Sequence, residues 1–186
     1  MENIGNILYS VINEIGKEKI QTHITLNVEL SRHYIQRIMK ECIRELSLTN
    51  EENVGSLCEG LLHFMLTTRT LPSVRKVRYD AINLDIVIPN LHALRNIPEK
   101  AIIIQIVKDS RGFSEHVQKQ IATIQPIVNN IWVVTKDPTS GDYVNYSAQC
   151  ENISSTSFQK RNFHDIIIDI DAFLEKMNDR SFRFIH

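Results

Sequence analysis

Four polar residues stand where a packed interior would favour apolar ones: Glu59 in a helical stripe, Asp85 in Asn-Leu-Asp-Ile-Val-Ile-Pro, and Gln105 and Lys108 in Ile-Ile-Ile-Gln-Ile-Val-Lys. An acid and a lysine at neighbouring strand ends can face one pocket. The charge of the chain suggests what such a pocket would meet. Residues 1–68 hold 6 Lys and Arg against 9 Asp and Glu, residues 69–136 hold 10 against 5, and residues 137–186 hold 5 against 8. A basic centre between acidic flanks is an electrostatic footprint for phosphate. Each residue also has an ordinary use: a strand acid can sit at a sheet edge or in a salt bridge, Lys108 can simply end its strand, Glu59 can face solvent, and Gln105 can hydrogen-bond inside the fold. The basic stretch can likewise be plain solvated surface.

Other site chemistries find little support. Cys42, Cys58 and Cys150 are odd in number and form no C-x-x-C pair, so they read as small buried hydrophobes rather than a disulfide framework or zinc site. The histidines are scattered, with no H-E-x-x-H spacing. No apolar run approaches the roughly 20 residues a bilayer span needs. Met1 to Ser10 lacks the basic-then-apolar order of a signal peptide. A cytoplasmic protein without a membrane partner is expected.

The candidate residues need elements to position them. At 186 residues and 42% hydrophobic content the chain can bury one real core. Ile4, Ile7, Leu8, Val11, Ile12 and Ile15 recur at helical spacing over residues 4–15, and Leu30, Tyr34, Ile38, Met39, Cys42, Ile43 and Leu46 repeat the pattern over 28–46. Thr49 followed by Glu52 resembles a capping box, and the stripe from Val54 to Met65 carries a third helix, with Glu59 on it, to about Thr68. From Val74 the period changes. Val74 to Tyr79 and Ile82 to Ile88 read as strands of a hairpin turning at Asp80 and Ala81.

Ala101 to Val107 is almost continuously apolar, as expected of a central strand covered on both faces. Ser114 can cap a helix through Ile124, Pro126 stops it, and Ile131 to Thr135 forms another strand. Residues 137–162 are rich in Ser, Thr, Asn and Gln and read as a long surface excursion holding at most a short strand near Tyr143 to Tyr146. Ile166 to Ile170 is a last strand or a helix start, with Phe173, Leu174 and Met177 on a terminal amphipathic helix. The division expected is an N-terminal helical extension over 1–50 and an α/β domain over 51–186 with its core in 54–137.

With this layout the sequence resembles the PD-(D/E)XK, or restriction-endonuclease-like, superfamily, particularly its resolvase-like members. The resemblance covers roughly residues 54–137. It implies a mixed sheet flanked by helices, a helix glutamate at Glu59, a strand aspartate at Asp85 within hydrophobic-Asp-hydrophobic-hydrophobic, and the strand lysine at Lys108. In such a set carboxylate oxygens hold Mg²⁺, the metal polarises the scissile phosphate and activates water, and the lysine positions or deprotonates that water.

The sequence departs from the pattern at one position. Two residues before Lys108, where the family has its second acid, stands Ile106, which cannot ligate a metal. The nearest polar side chain, Gln105, is one residue out of phase and would point away from Lys108 unless a bulge turned it inward. The metal set implied is therefore Asp85 with Gln105, a neutral and weaker ligand, or a set completed by Asp80 or Asp109.

Arg75, Lys76 and Arg78, with Arg111 and Lys119 in the segment after Lys108, could make a phosphate-tracking surface whose binding falls with salt. His116, Gln118 and Gln120 belong to that same segment. Leu30 to Ile38 has some character of a helix-turn-helix recognition helix, but the turn before it lacks the usual glycine. Its stripe and that of residues 4–15 need a partner surface, on the domain or in a homodimer. Three readings stand: a DNA- or RNA-binding domain of nuclease type whose catalysis is impaired or altered at Ile106, an active Mg²⁺-dependent endonuclease, and a homo-oligomeric structural or regulatory module.

Overall fold

The structure, a computed structural model, describes residues 4–47, 50–109, 114–137, 142–148 and 160–182. Its centre is a six-stranded sheet in the order β1 (Val74–Tyr79), β2 (Ile82–Ile88), β3 (Ile102–Ile106), β4 (Ile131–Thr135), β5 (Val144–Ser147) and β6 (Lys160–Asn162). The pairs β1–β2 and β2–β3 are antiparallel, and β3 to β6 pair in parallel. The β1–β2 turn falls at Asp80 and Ala81, which carry φ of 45° and 71°. Positive φ at both central residues matches the twist of the flanking strands.

One face of the sheet is covered by α4 (Glu51–Thr68), backed by α1 (Ile4–Ile15), α2 (Lys17–Leu26), α3 (Leu30–Leu46) and α7 (Ile166–Phe182). The other is covered by α5 (Leu91–Asn96) and α6 (Glu115–Ile124). Helix α4 is apolar nearly all round, burying Leu57, Leu61 and Met65 among others, because it is wedged between the sheet and the N-terminal helices. Its cap is Asn50, whose side chain accepts from the Asn53 amide at 2.8 Å. Thr49, the expected cap, lies outside the described residues.

The apolar stripes of α1 and α3 find their partner surface within the chain: Leu8, Val11, Ile12, Ile35, Ile38 and Cys42 share one core with α4 and the sheet. Arg32 near the start of α3 is tied to Asp165, just before α7, which holds that end of the helix against the body. The sequence reading lacked α2, whose stripe is reduced to Ile20 and Ile24 and which a positive-φ Gly16 separates from α1. It also read residues 137–162 as a surface excursion with a short strand near Tyr143 to Tyr146; that strand is present as β5, but all four of its residues are buried. Polar Asn145 and Ser147 disguise that burial. Asn145 Nδ2 donates to the Thr135 hydroxyl at 3.0 Å and the Ser147 hydroxyl donates to the Lys136 carbonyl at 3.0 Å, so their burial is compensated. No helix among the described residues is long and apolar enough to cross a membrane.

Candidate nucleic-acid interface at the split of β2 and β3

Strands β2 and β3 pair at Ile88 with Ile102, Val87 with Ile103 and Ile86 with Ile104, and the ladder then stops. Side chains take over from backbone. Gln105 Oε1 accepts from the Asp85 amide at 3.1 Å, Gln105 Nε2 donates to the Asn83 carbonyl at 3.0 Å, and Asp85 Oδ2 accepts from the Ile106 amide at 2.8 Å. The two strands therefore diverge around Asp85 with their backbone groups satisfied.

On its other edge β2 meets β1, and here too one pair is missing. Arg75 pairs with Ile86 and Val77 with Leu84, but Lys76 and Asp85 between them do not pair. Lys76 has φ of 48°, a left-handed conformation uncommon for a residue bearing a Cβ. Both strands change face at this point. Ile82 and Leu84 belong to the core under α5 and α6, while Ile86 and Ile88 belong to the core under α4. Likewise Val77 and Tyr79 pack toward α5 and α6, while Arg75 reaches Glu59 on α4. An interruption of this kind re-aims side chains, and such interruptions concentrate at working sites.

What it re-aims is a set of cations. Glu59, nearly buried, receives Lys108 Nζ on Oε2 at 2.5 Å, Lys76 Nζ on Oε1 at 2.9 Å and Arg75 on Oε1 at 3.6 Å. Consecutive strand residues ordinarily point to opposite faces, so the backbone turn at Lys76 is what lets both Arg75 and Lys76 reach one carboxylate. Burial pushes the Glu59 carboxyl up, but the hydrogen bonds from Lys108 and Lys76 outweigh it and hold the group below its ordinary value. Asp85 goes the other way: burial raises it, the nearby Glu59 charge adds to the rise, and the Ile106 amide and the lysines only partly offset both. One turn beyond Glu59, burial and the charge of Arg75 depress His63.

Gly55 brings α4 this close. A Cβ there would lie 2.9 Å from the Val107 carbonyl oxygen, 3.0 Å from Lys108 Cγ and 3.2 Å from Lys108 Cα. Gly55 and Glu59 are one turn apart on the same helix face, so contact at the first sets the reach of the second. The sequence reading passed over Gly55; the signal was a glycine one turn before a buried acid.

The expected residues thus fall into two groups. Glu59, Asp85, Gln105, Lys108, Arg75 and Lys76 come together at the split, and Arg78 is exposed farther along β1. Lys119 lies across the sheet on α6, paired with Glu115 at 2.7 Å, and Arg111 lies outside the described residues. As a magnesium site the split is poorly furnished. Ile106 is packed into the core beneath α4, both ends of the Gln105 amide serve the β2 backbone, and Glu59 is committed to cations. Asp80 is at the hairpin turn, away from the split, and Asp109 is exposed beside Lys108. Among the described residues no three His, Cys, Asp or Glu side chains gather to hold a metal.

No protein-family model matches the sequence, and no curated protein matches it. Solved structures do match. The chain is similar to the restriction endonuclease PspGI in a complex with substrate DNA, with a TM-score of 0.60 and 14% identity over 95% of this chain and 94% of that one. It is also similar to metal-depleted Ecl18kI in complex with uncleaved, modified DNA, with a TM-score of 0.62 and 13% identity over 96% of this chain and 80% of that one. The fold is the restriction-endonuclease-like one, a mixed six-stranded sheet between helical layers with an N-terminal helical segment.

Proposed function

We propose that this chain binds nucleic acid through Arg75, Lys76 and Lys108, on a nuclease-type scaffold whose cleavage chemistry is impaired or altered. The observation that carries this reading is the convergence of three cations on a single carboxylate. Glu59 neutralises one positive charge and leaves a local excess, and all three cations come from residues 69–136, where basic residues outnumber acids. Phosphate oxygens are the natural complement: Arg presents a planar fork and the lysines act as point charges. The fold agrees with this use, since the DNA complexes above are built on the same scaffold.

The altered-chemistry half rests on the missing acid. A metal-assisted hydrolysis needs hard charged oxygen ligands, and Ile106 occupies the position where the second would stand. Gln105 acts here as a backbone clamp that holds β2 and β3 apart, so its use is positional.

The test is cleavage and binding of labelled branched, duplex and single-stranded DNA and RNA, with Mg²⁺ or Mn²⁺ and across a salt series. Salt-sensitive binding without cleavage is expected, and Arg75→Ala or Lys76→Ala should each reduce the slope of log K against log salt by about 1. Cleavage that disappears in both Asp85→Ala and Lys108→Ala would overturn the altered-chemistry part and establish a metal-dependent endonuclease. Indifference to nucleic acid at every salt concentration, with self-association, would replace the whole reading with an oligomeric module.

A further inference from the structure

A second feature stands on the opposite face of the sheet. A groove of about 690 Å³ runs between the β1–β2 turn, α5 and α6. Its floor is apolar: Ile82 and Leu94 are buried there and Ile124 lines one wall. Its rim carries two cations, Arg95 and Lys119, with the His116 imidazole beside them and Asp80 as the acid among its lining residues. The Arg95 guanidinium stands 5.3 Å from the centre of the Tyr79 ring. Lys119 pairs with exposed Glu115, an ion pair of the kind worth little and easily exchanged.

A groove of this volume with apolar side chains at its floor and polar groups at its rim is within the range of small-molecule sites. The ligand must offer a flat, weakly polar body to the floor and an anion to the rim. We propose that this groove binds a nucleoside monophosphate, with its base over Ile82 and Ile124 beside the Tyr79–Arg95 stack and its phosphate between His116 and Lys119. Aromatic and guanidinium planes favour a heteroaromatic ring. The site lies on the α5 and α6 side, whereas the cations around Glu59 face α4, so it does not depend on the nucleic-acid reading.

Calorimetric titration of the full chain with AMP, adenosine and inorganic phosphate tests this. Saturable binding of AMP is expected, weakened at least about tenfold when either the base or the phosphate is missing. Lys119→Glu removes the phosphate partner, and Thr123→Trp fills the groove from an exposed helix position; each should weaken AMP at least about tenfold while the urea midpoint stays that of wild type. A 5′-phosphorylated trinucleotide will compete if the natural source is a strand end and will fail to compete if it is a free nucleotide; either result supports the site. The proposal is overturned if AMP does not bind, if phosphate alone binds as tightly as AMP, or if the groove-filling variant binds AMP like wild type.

Discussion

Gln105 faces Asp85 where β2 and β3 part, and its amide oxygen accepts from the Asp85 backbone N–H at 3.1 Å while its amide nitrogen serves the Asn83 carbonyl. A side chain here does the work of the sheet ladder. Gln105→Leu keeps the volume but leaves a buried donor and acceptor on β2 without partners, so a loss of about 2–4 kcal/mol is expected, the sum of two such penalties partly relieved by water. Urea unfolding measures it. A loss below about 0.5 kcal/mol would mean the strands close up and pair without the clamp.

Asp85 carries a different signature. Because burial raises its carboxyl, the folded protein holds the proton more tightly than the unfolded chain does. Stability from this group is therefore complete below the ordinary carboxyl value of about 4 and is lost as pH rises through the raised folded value. Asp85→Asn, which still accepts from the Ile106 amide, should raise the urea midpoint at pH 7 and lose that advantage in acid. Equal midpoints for the two proteins at pH 7 would show that the carboxylate is not destabilising where it sits.

The two helical glycines of α4 give a matched pair. Gly55→Ala puts a methyl 2.9 Å from a backbone carbonyl oxygen, which cannot move without shifting β3, whereas Gly60→Ala meets only the end of the Leu8 side chain, also at 2.9 Å. Alanine gains about 1 kcal/mol over glycine in a helix, and overpacking against backbone costs about 1–3 kcal/mol. Gly60→Ala should thus be neutral or stabilising, and Gly55→Ala destabilising, with low-salt nucleic-acid affinity raised as α4 carries the competing Glu59 away from Lys108. Thermal melts and anisotropy titrations of both variants decide it, and identical behaviour of the two would remove Gly55 from the argument.

The strands and α4 were legible because their signals are strong: continuous β-branched runs, and an acid set within an apolar helix. The same residues pointed to Asp85, Lys108 and Glu59 as occupants of one region. Three things were not legible. The burial of β5 hid behind Asn145 and Ser147, whose side chains are satisfied by Thr135 and the Lys136 carbonyl, partners that no local pattern reveals. The change of face at Lys76 and Asp85 is a property of two strands together, and alternation read along either one misses it. The split of Arg75 and Lys76 from Lys119 follows from α6 crossing to the other face of the sheet, a choice that charge counting along the chain cannot see.

Glu59 should show opposite effects on stability and on binding. Its carboxyl is lowered by the hydrogen bonds from Lys108 and Lys76, which overcome the rise from burial, so its stabilising contribution is present above the ordinary carboxyl value of about 4.3 and is lost as pH falls through the lower folded value. Glu59→Gln leaves three cations facing one another around a neutral amide. The side chains of Lys76 and Lys108 are 68% and 39% exposed, so water softens that repulsion, and a loss of about 1–3 kcal/mol at pH 7 is expected in place of the larger cost of breaking a fully buried pair. The difference between wild type and variant should shrink in acid as Glu59 itself protonates. Binding moves the other way: with the competing carboxylate gone, the cations are available to phosphate, so affinity at low salt should rise and the salt dependence steepen. Fluorescence anisotropy with labelled DNA and RNA over a KCl series reads this directly. Weaker binding together with lower stability would mean that Glu59 orders the cations for phosphate instead of competing with it, and the electrostatic account of the site would have to be reversed.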